Sequence, residues 1–193
     1  MNASQRKKQE TRERIVHAAG QAFRSRGFGG VGVDGLAEGA ALTSGAFYFH
    51  FRSKLDVFTE AIRAGLEELR AAIEEFQSKK PRLWLSAFAS FYMGFKRTCE
   101  LKDACTLPAL SAEVERAGDE ARSVYQTLLI STVDTVSAGL QNRPALTSRE
   151  QSWAILALLS GGVTMARTVP DEALSKEIAA AIKKAVALVG SQT

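Results

Sequence analysis

Sulfur and imidazole are scarce in this chain: two cysteines, Cys99 and Cys105, and two histidines, His17 and His50, among 193 residues. They form neither a disulfide framework nor a zinc-finger spacing, so no structural metal and no cofactor are expected. Proline is rare too, with four residues, and alternating β-branched runs are few, which argues against sheet classes. No window approaches about 18 uncharged apolar residues. Met1 to Glu10 is polar with no apolar h-region. Neither a membrane span nor a secretory signal is therefore expected, and the chain is read as cytoplasmic. Also missing are a Gly-rich phosphate loop, a paired-carboxylate constellation, a nucleophile elbow and a metal cluster. A helical enzyme is thus disfavoured and no catalytic residue is assigned.

What the chain does have is enough apolar content, 46%, to bury a real core. Its net charge of +4 is unevenly placed: through Lys54 nine cations stand against four anions, a balance of +5, and the rest carries −1. That pattern describes a basic N-terminal module on a near-neutral body. A nonspecific DNA-compacting protein would spread its basic residues over the body as well, which this chain does not.

Apolar residues recur at the helical period from Glu10 to Val189, so the fold class is all-α, with about nine helices divided into a head, residues 1–54, and a body, residues 55–193. The first helix runs from about Gln9 to Arg26, with Ile15, Ala19, Ala22 and Phe23 on one stripe. Gly27 follows where a left-handed residue is needed, and Phe28 can fold back. Val33 to Ala40 and Ser44 to His50 are short helices separated by Ala41 to Thr43. The spacing is that of a helix-turn-helix, or of two connecting turns in a larger bundle; the basic flank favours the former. Ser53 with Asp56 is a capping-box variant opening a long helix that ends near Ser78. Its Leu55, Phe58, Ile62, Gly65, Leu69, Ala72 and Phe76 form one buried face. Pro81 is expected at the first position of a helix from Arg82 to Thr98, whose Trp84, Phe88, Phe91 and Phe95 share one stripe. A broken segment from Glu100 to Glu115 contains Pro108. Helices from Asp119 to Leu140, Ser148 to Val169 and Asp171 to Val189 complete the chain.

The stretch Leu36-Ala37-Glu38-Gly39-Ala40-Ala41-Leu42-Thr43-Ser44-Gly45-Ala46-Phe47-Tyr48-Phe49-His50-Phe51-Arg52-Ser53-Lys54-Leu55 resembles the helix-turn-helix signature of the TetR/AcrR family of transcriptional regulators. The segment from Tyr48 to Phe51, followed by Lys54, is its most specific part. The resemblance implies a homodimer on a palindromic double-stranded operator, usually a repressor, that leaves DNA when a small-molecule effector enters the C-terminal domain. By the same resemblance Ser44, Gly45, Ala46 and Phe49 face bases, and Thr43, Tyr48, His50 and Lys54 hold phosphate. The residue types agree: Ser44, Gly45 and Ala46 are small enough to bring a helix N-terminus to base edges, and Thr43 can cap it. Phe47 and Phe51 are expected to pack the head. The arm Arg6, Lys7, Lys8, Arg12 and Arg14 is either a solvated tail or a groove-following segment adding salt-dependent affinity. Departures from the family pattern are Gly32 and Val33 where a Thr is usual, Asp34 where a polar or cationic residue is common, and Ala41 in place of the turn glycine. Asp34 would accept from a cytosine amino group or repel phosphate.

In the body, the resemblance implies that the last two helices form a four-helix dimer interface. Leu174, Ile178, Ala181, Ile182, Ala185, Leu188 and Val189, with Ala157, Ser160, Gly161 and Gly162, suit close helix approach; packing within one chain is the alternative. Trp84, Phe88, Phe91, Tyr92 and Phe95, facing Tyr125, Leu128, Leu129 and Trp153, either line a pocket for a hydrophobic or aromatic effector or form plain core. Ala104-Cys105-Thr106-Leu107 resembles a Gly-Cys-apolar motif of a TetR subgroup, some of whose members sense electrophiles or oxidants. A helix N-terminus and the nearby Lys102 would then favour a Cys105 thiolate, against the alternative of a buried structural thiol.

Overall fold

The computed structural model describes residues 2–142 and 146–190, and among them are nine α-helices and no strand. The first helix, α1 (Ala3–Arg26), starts earlier than the expected Gln9. Asn2 and Gln5 form a reciprocal capping box, with Asn2 Oδ1 accepting from the Gln5 amide at 2.9 Å and Gln5 Oε1 from the Asn2 amide at 3.0 Å. The basic arm is therefore a helical continuation. At the other end Gly27 takes φ 72°, a left-handed conformation that glycine adopts without penalty. The chain reverses there, and Phe28 lands on Phe58 and Phe23, with ring centroids 4.8 and 5.9 Å away. Helices α2 (Val33–Gly39) and α3 (Ser44–His50) follow. Phe47 and Phe51, 0% and 2% exposed, close the head core with Ile15, Phe23 and Leu36.

Helix α4 (Lys54–Lys79) packs against α1 of the head and against α6 and α7 of the body, defined below. Because it has neighbours on several sides, it buries Leu66 and Ile73 as well as Phe58, Ile62 and Leu69, a wider arc than the single stripe expected. Ser53 caps it, accepting from the Asp56 amide at 3.0 Å, while the Asp56 carboxylate accepts from the Arg52 amide instead of closing the box on Ser53.

Helix α5 (Trp84–Phe91) begins later than expected: residues 81–83 form a turn, so Pro81 precedes the helix instead of opening it. It then runs into a π-helical turn, Tyr92–Lys96. The wider turn shifts the residues after Phe91 out of the expected stripe, leaving Tyr92 2% and Phe95 52% exposed. A 3-10 turn, Leu101–Asp103, leads to Cys105, the N-cap of α6 (Thr106–Ala117). The segment expected to be broken is thus largely helix. Pro108 falls in its first turn, where a missing amide forfeits no intrahelical bond. Helices α7 (Asp119–Ala138), α8 (Ser148–Thr168) and α9 (Glu172–Gly190) complete the body. No helix among the described residues is long and apolar enough to cross a membrane.

Head and body meet at one joint. Arg24 of α1 donates from Nε to the Lys102 carbonyl at 2.6 Å and from a terminal guanidinium nitrogen to Thr106 Oγ1 at 3.3 Å. Phe28 donates its amide to Glu113 at 3.1 Å. Thr106 also packs directly over Gly65 of α4, where any Cβ would overlap its side chain.

Candidate functional site

Helix α3 presents a short, exposed surface. Thr43 caps it by accepting from the Ala46 amide at 3.3 Å, and Thr43, Gly45, Tyr48 and Phe49 are exposed. A Cβ on Gly45 would meet only Thr43 Oγ1, at 4.0 Å. Packing does not demand glycine at this position, although glycine costs a helix about 1 kcal/mol relative to alanine. Tyr48 and Phe49 keep 56% and 69% of their surface in solvent, while the preceding Phe47 is buried.

Two contacts with this surface, from Lys8 and Arg12 of α1, were not read from the sequence, and Lys8 makes its contact because α1 already starts at Ala3. Lys8 lies over the Phe49 ring, 4.8 Å from its centroid. Arg12 stacks on Phe51 at 4.2 Å and donates to the His50 carbonyl at 2.9 Å. His50 is half-buried, and its Nδ1 is covered without a hydrogen-bond partner. Burial, then the charges of Lys8 and Arg12, hold its pKa below the ordinary histidine value. Two expected contact residues are already engaged. Ser44 donates to Asp34, linking α3 to the first turn of α2. Lys54 donates to the Val31 carbonyl at 3.1 Å, with its ammonium 4.3 Å from the Phe28 centroid.

In the body, a cavity of about 170 Å³ lies between α4, the π turn and the start of α6. Phe88, Phe91, Tyr92, Phe95 and Cys105 line it, with Gly65, Glu68, Leu69, Ala72, Lys96, Ala104 and Thr106. The other five expected pocket residues are not in its lining, and of these Leu128 is buried. Trp84 is buried and donates Nε1 to the Gly139 carbonyl at 2.9 Å. Leu129 is half-buried. Trp153 is 40% exposed on α8, with the Arg149 guanidinium 5.9 Å from its ring. Tyr125 lies behind Cys105, and burial, then that thiol, push its phenol pKa up to about 12.

Cys105 is 6% exposed, and burial pushes its thiol pKa up. Lys102, expected to favour the thiolate, pairs instead with Glu100 at 2.8 Å. Lys96 is near enough to lower the Cys105 pKa, but less than burial raises it. Tyr92 beside it is buried, its hydroxyl making no hydrogen bond of normal geometry but lying against the weakly accepting Cys105 thiol, and its pKa stands well above the ordinary phenol value, chiefly through burial and then through that thiol.

The last two helices pack on each other through Gly162, where a Cβ would lie within 3.0 Å of three carbons of Ile182. On their other face an exposed stripe remains: Trp153, Ala157, Gly161 and Met165 on α8, and Leu174 and Ala181 on α9.

Comparisons with known proteins agree with one another. Residues 15–61 match the family model described as bacterial regulatory proteins, tetR family. The HTH-type transcriptional regulator AcrR of Shigella flexneri is 33% identical over 73 residues, covering 38% of this chain and 34% of that one. The HTH-type transcriptional repressor BepR of Brucella suis is 40% identical over 75 residues, covering 37% and 36%. The chain thus aligns with about a third of the length of these relatives. Along almost the whole chain, the fold is similar to a TetR-family regulator from Cytophaga hutchinsonii, with a TM-score of 0.80, 18% identity and coverage of 97% and 98%.

Proposed function

We propose that this chain, whose residues 15–61 match the tetR family model, is a homodimeric transcriptional repressor of that family, holding a palindromic operator until a small hydrophobic or aromatic effector enters the body. The observation that carries this reading is the first turn of α3. Its small residues, with an unfilled space at Gly45, leave room for the backbone to reach base edges, and the exposed Tyr48 and Phe49 flank it. Lys8, Arg12 and the N-terminus of α4 at Lys54 supply the positive potential that phosphate requires. The exposed small and apolar stripe on α8 and α9 supports self-association. A two-fold dimer there would set two α3 helices about 34–36 Å apart, one turn of duplex.

Release follows as a population shift. An effector in the α4–α6 cavity displaces Thr106, which contacts α4 at Gly65 and α1 through Arg24. Both contacts feed into the spacing of the heads. The effector acts only in proportion to its preference for the state that does not bind DNA. The alternative, a repressor switched by oxidation or alkylation of Cys105, is disfavoured because burial keeps the thiol protonated.

The test is a gel shift with the fragment upstream of the chain's own gene. Wild type is expected to bind at low salt with a steep salt dependence. Gly45→Gln, whose side chain enters open space, is expected to lose at least about tenfold in operator affinity with unchanged thermal stability. Equal affinity of the variant overturns the assignment of α3 as the reading helix.

A further inference from the structure

The cavity beside the π turn contains a poorly met chemical demand. The Tyr92 hydroxyl, on a side chain 2% exposed, makes no hydrogen bond of normal geometry and has beside it the Cys105 thiol, a weak acceptor, an arrangement that costs free energy unless something else supplies a better acceptor. Tyr92 is also the first residue of the π turn, a distortion that recurs in helices at functional positions. Around it the walls are flat and apolar: Phe88, Phe91 and Phe95, with Leu69 and Ala72 on α4. Phe91 and Phe95 are stacked at 5.7 Å with 16° between their planes.

Size limits the occupant. About 170 Å³ is close to the roughly 150 Å³ of an apolar cavity that accommodates benzene, so one ring with a small substituent fits. Charge limits it further. The cation in the wall, Lys96, already donates to the Asp103 carbonyl at 2.8 Å and stands 3.9 Å from Glu68. The same burial that keeps Cys105 and Tyr92 protonated opposes an anionic ligand. We propose that this cavity binds a neutral, single-ring aromatic molecule bearing one hydrogen-bond acceptor, such as a ring-conjugated carbonyl, to which the Tyr92 hydroxyl donates. That such a molecule acts as the effector rests on the regulator reading; that it binds does not.

Calorimetric titration of the full-length chain with acetophenone, toluene and benzoate tests the proposal, beside Tyr92→Phe and the cavity-filling Ala72→Leu. Tyr92→Phe removes one hydroxyl whose polar neighbour is a weakly accepting thiol, so it is expected to fold as wild type does. Acetophenone is expected to bind and to weaken about fivefold in Tyr92→Phe, the worth of one hydrogen bond, while toluene binds both proteins alike. Ala72→Leu should lose both, and benzoate should bind neither protein. No acetophenone binding, an equal acetophenone affinity in Tyr92→Phe, or benzoate as the tightest probe overturns the proposal. A gel shift with the same probes separates the two readings: Tyr92-dependent binding without release of DNA supports the site and counts against the regulator reading.

Discussion

Replacing Ala41 by glycine should make this protein more stable, by an amount that follows from the turn between α2 and α3. Helix α2 ends in a Schellman arrangement: the Leu42 amide donates to the Ala37 carbonyl and the Ala41 amide to the Glu38 carbonyl, each at 2.9 Å. That geometry requires a left-handed residue after the C-cap, and Ala41 supplies it with φ 55°. An L-residue in that region is disfavoured by about 1–2 kcal/mol. Glycine avoids this, but its freer unfolded chain takes back about 0.5–1 kcal/mol. Ala41 is exposed, so no packing is lost with the methyl group. The net gain is about 0.5–1 kcal/mol, and a chain of this size changes its Tm by about 2–4 °C per kcal/mol, which gives a rise of about 2 °C. Thermal melts at fixed protein concentration measure it, with Ala40→Gly as control. Ala40 has φ −92° and is buried, so the same change there relieves nothing and should lower Tm. Operator affinity should stay within about twofold, because both turn hydrogen bonds are made by backbone atoms that glycine retains. A Tm for Ala41→Gly that is unchanged or lowered refutes the reasoning.

Two further outcomes follow from the site. His50 has a pKa below the ordinary value in the folded chain, so on acidification the unfolded chain takes up a proton first. Its contribution to stability is complete above about pH 6.5 and is lost as pH falls through 6.5 toward the folded pKa. A phosphate at His50 restores the proton, so operator affinity should rise on acidification by at most about tenfold per pH unit, and His50→Gln should flatten the profile; identical gel-shift profiles sink this role. Ala181→Arg places a cation on the exposed apolar stripe of α9 and should weaken self-association by at least about tenfold in sedimentation experiments without unfolding the chain; an unaltered dimer rejects this face.

Much of the head was legible because its signals are local. The Ser44 to His50 helix, the turn at Gly27 and the fold-back of Phe28 each follow from a few consecutive residues. The start of α1 was missed because the cap is Asn2, with Gln5 three residues on, ahead of a polar run that offers no apolar period. That miss hid the approach of Lys8 to the end of α3. In the body, the aromatic period read Trp84, Phe88, Phe91 and Phe95 as one face, but the π turn breaks the 3.6-residue repeat just where the cavity lies. Nothing local in Tyr92 to Lys96 announces that turn, which is set against α8, where Arg167 donates to the Lys96 and Cys99 carbonyls at 2.6 and 2.8 Å. Trp153 was drawn toward the pocket by type alone. Its position on the outer face of α8 depends on which side of that helix Leu156, Leu159 and Val163 bury.

Whether the cavity can govern the head depends on the strength of the joint between them. Arg24 makes two charge-assisted hydrogen bonds across it, to the Lys102 carbonyl and to Thr106, and such bonds contribute about 1.5–3 kcal/mol each. Together they amount to about 3–6 kcal/mol. Driving a two-state equilibrium from 1:99 to 99:1 needs about 5.5 kcal/mol, so rearranging this pair is of the right size to carry the switch. Glu113, which accepts from the Phe28 amide, joins the same α6 to the head. Thr106 touches both ends of the route, because it lines the cavity and accepts from Arg24. Arg24→Met keeps much of the aliphatic packing and removes both bonds. In that variant the heads should still bind operator, within about tenfold of wild type, but a ligand that releases wild type should no longer release the variant. A variant that binds DNA and still responds fully to the ligand would place the coupling elsewhere, in α4 alone.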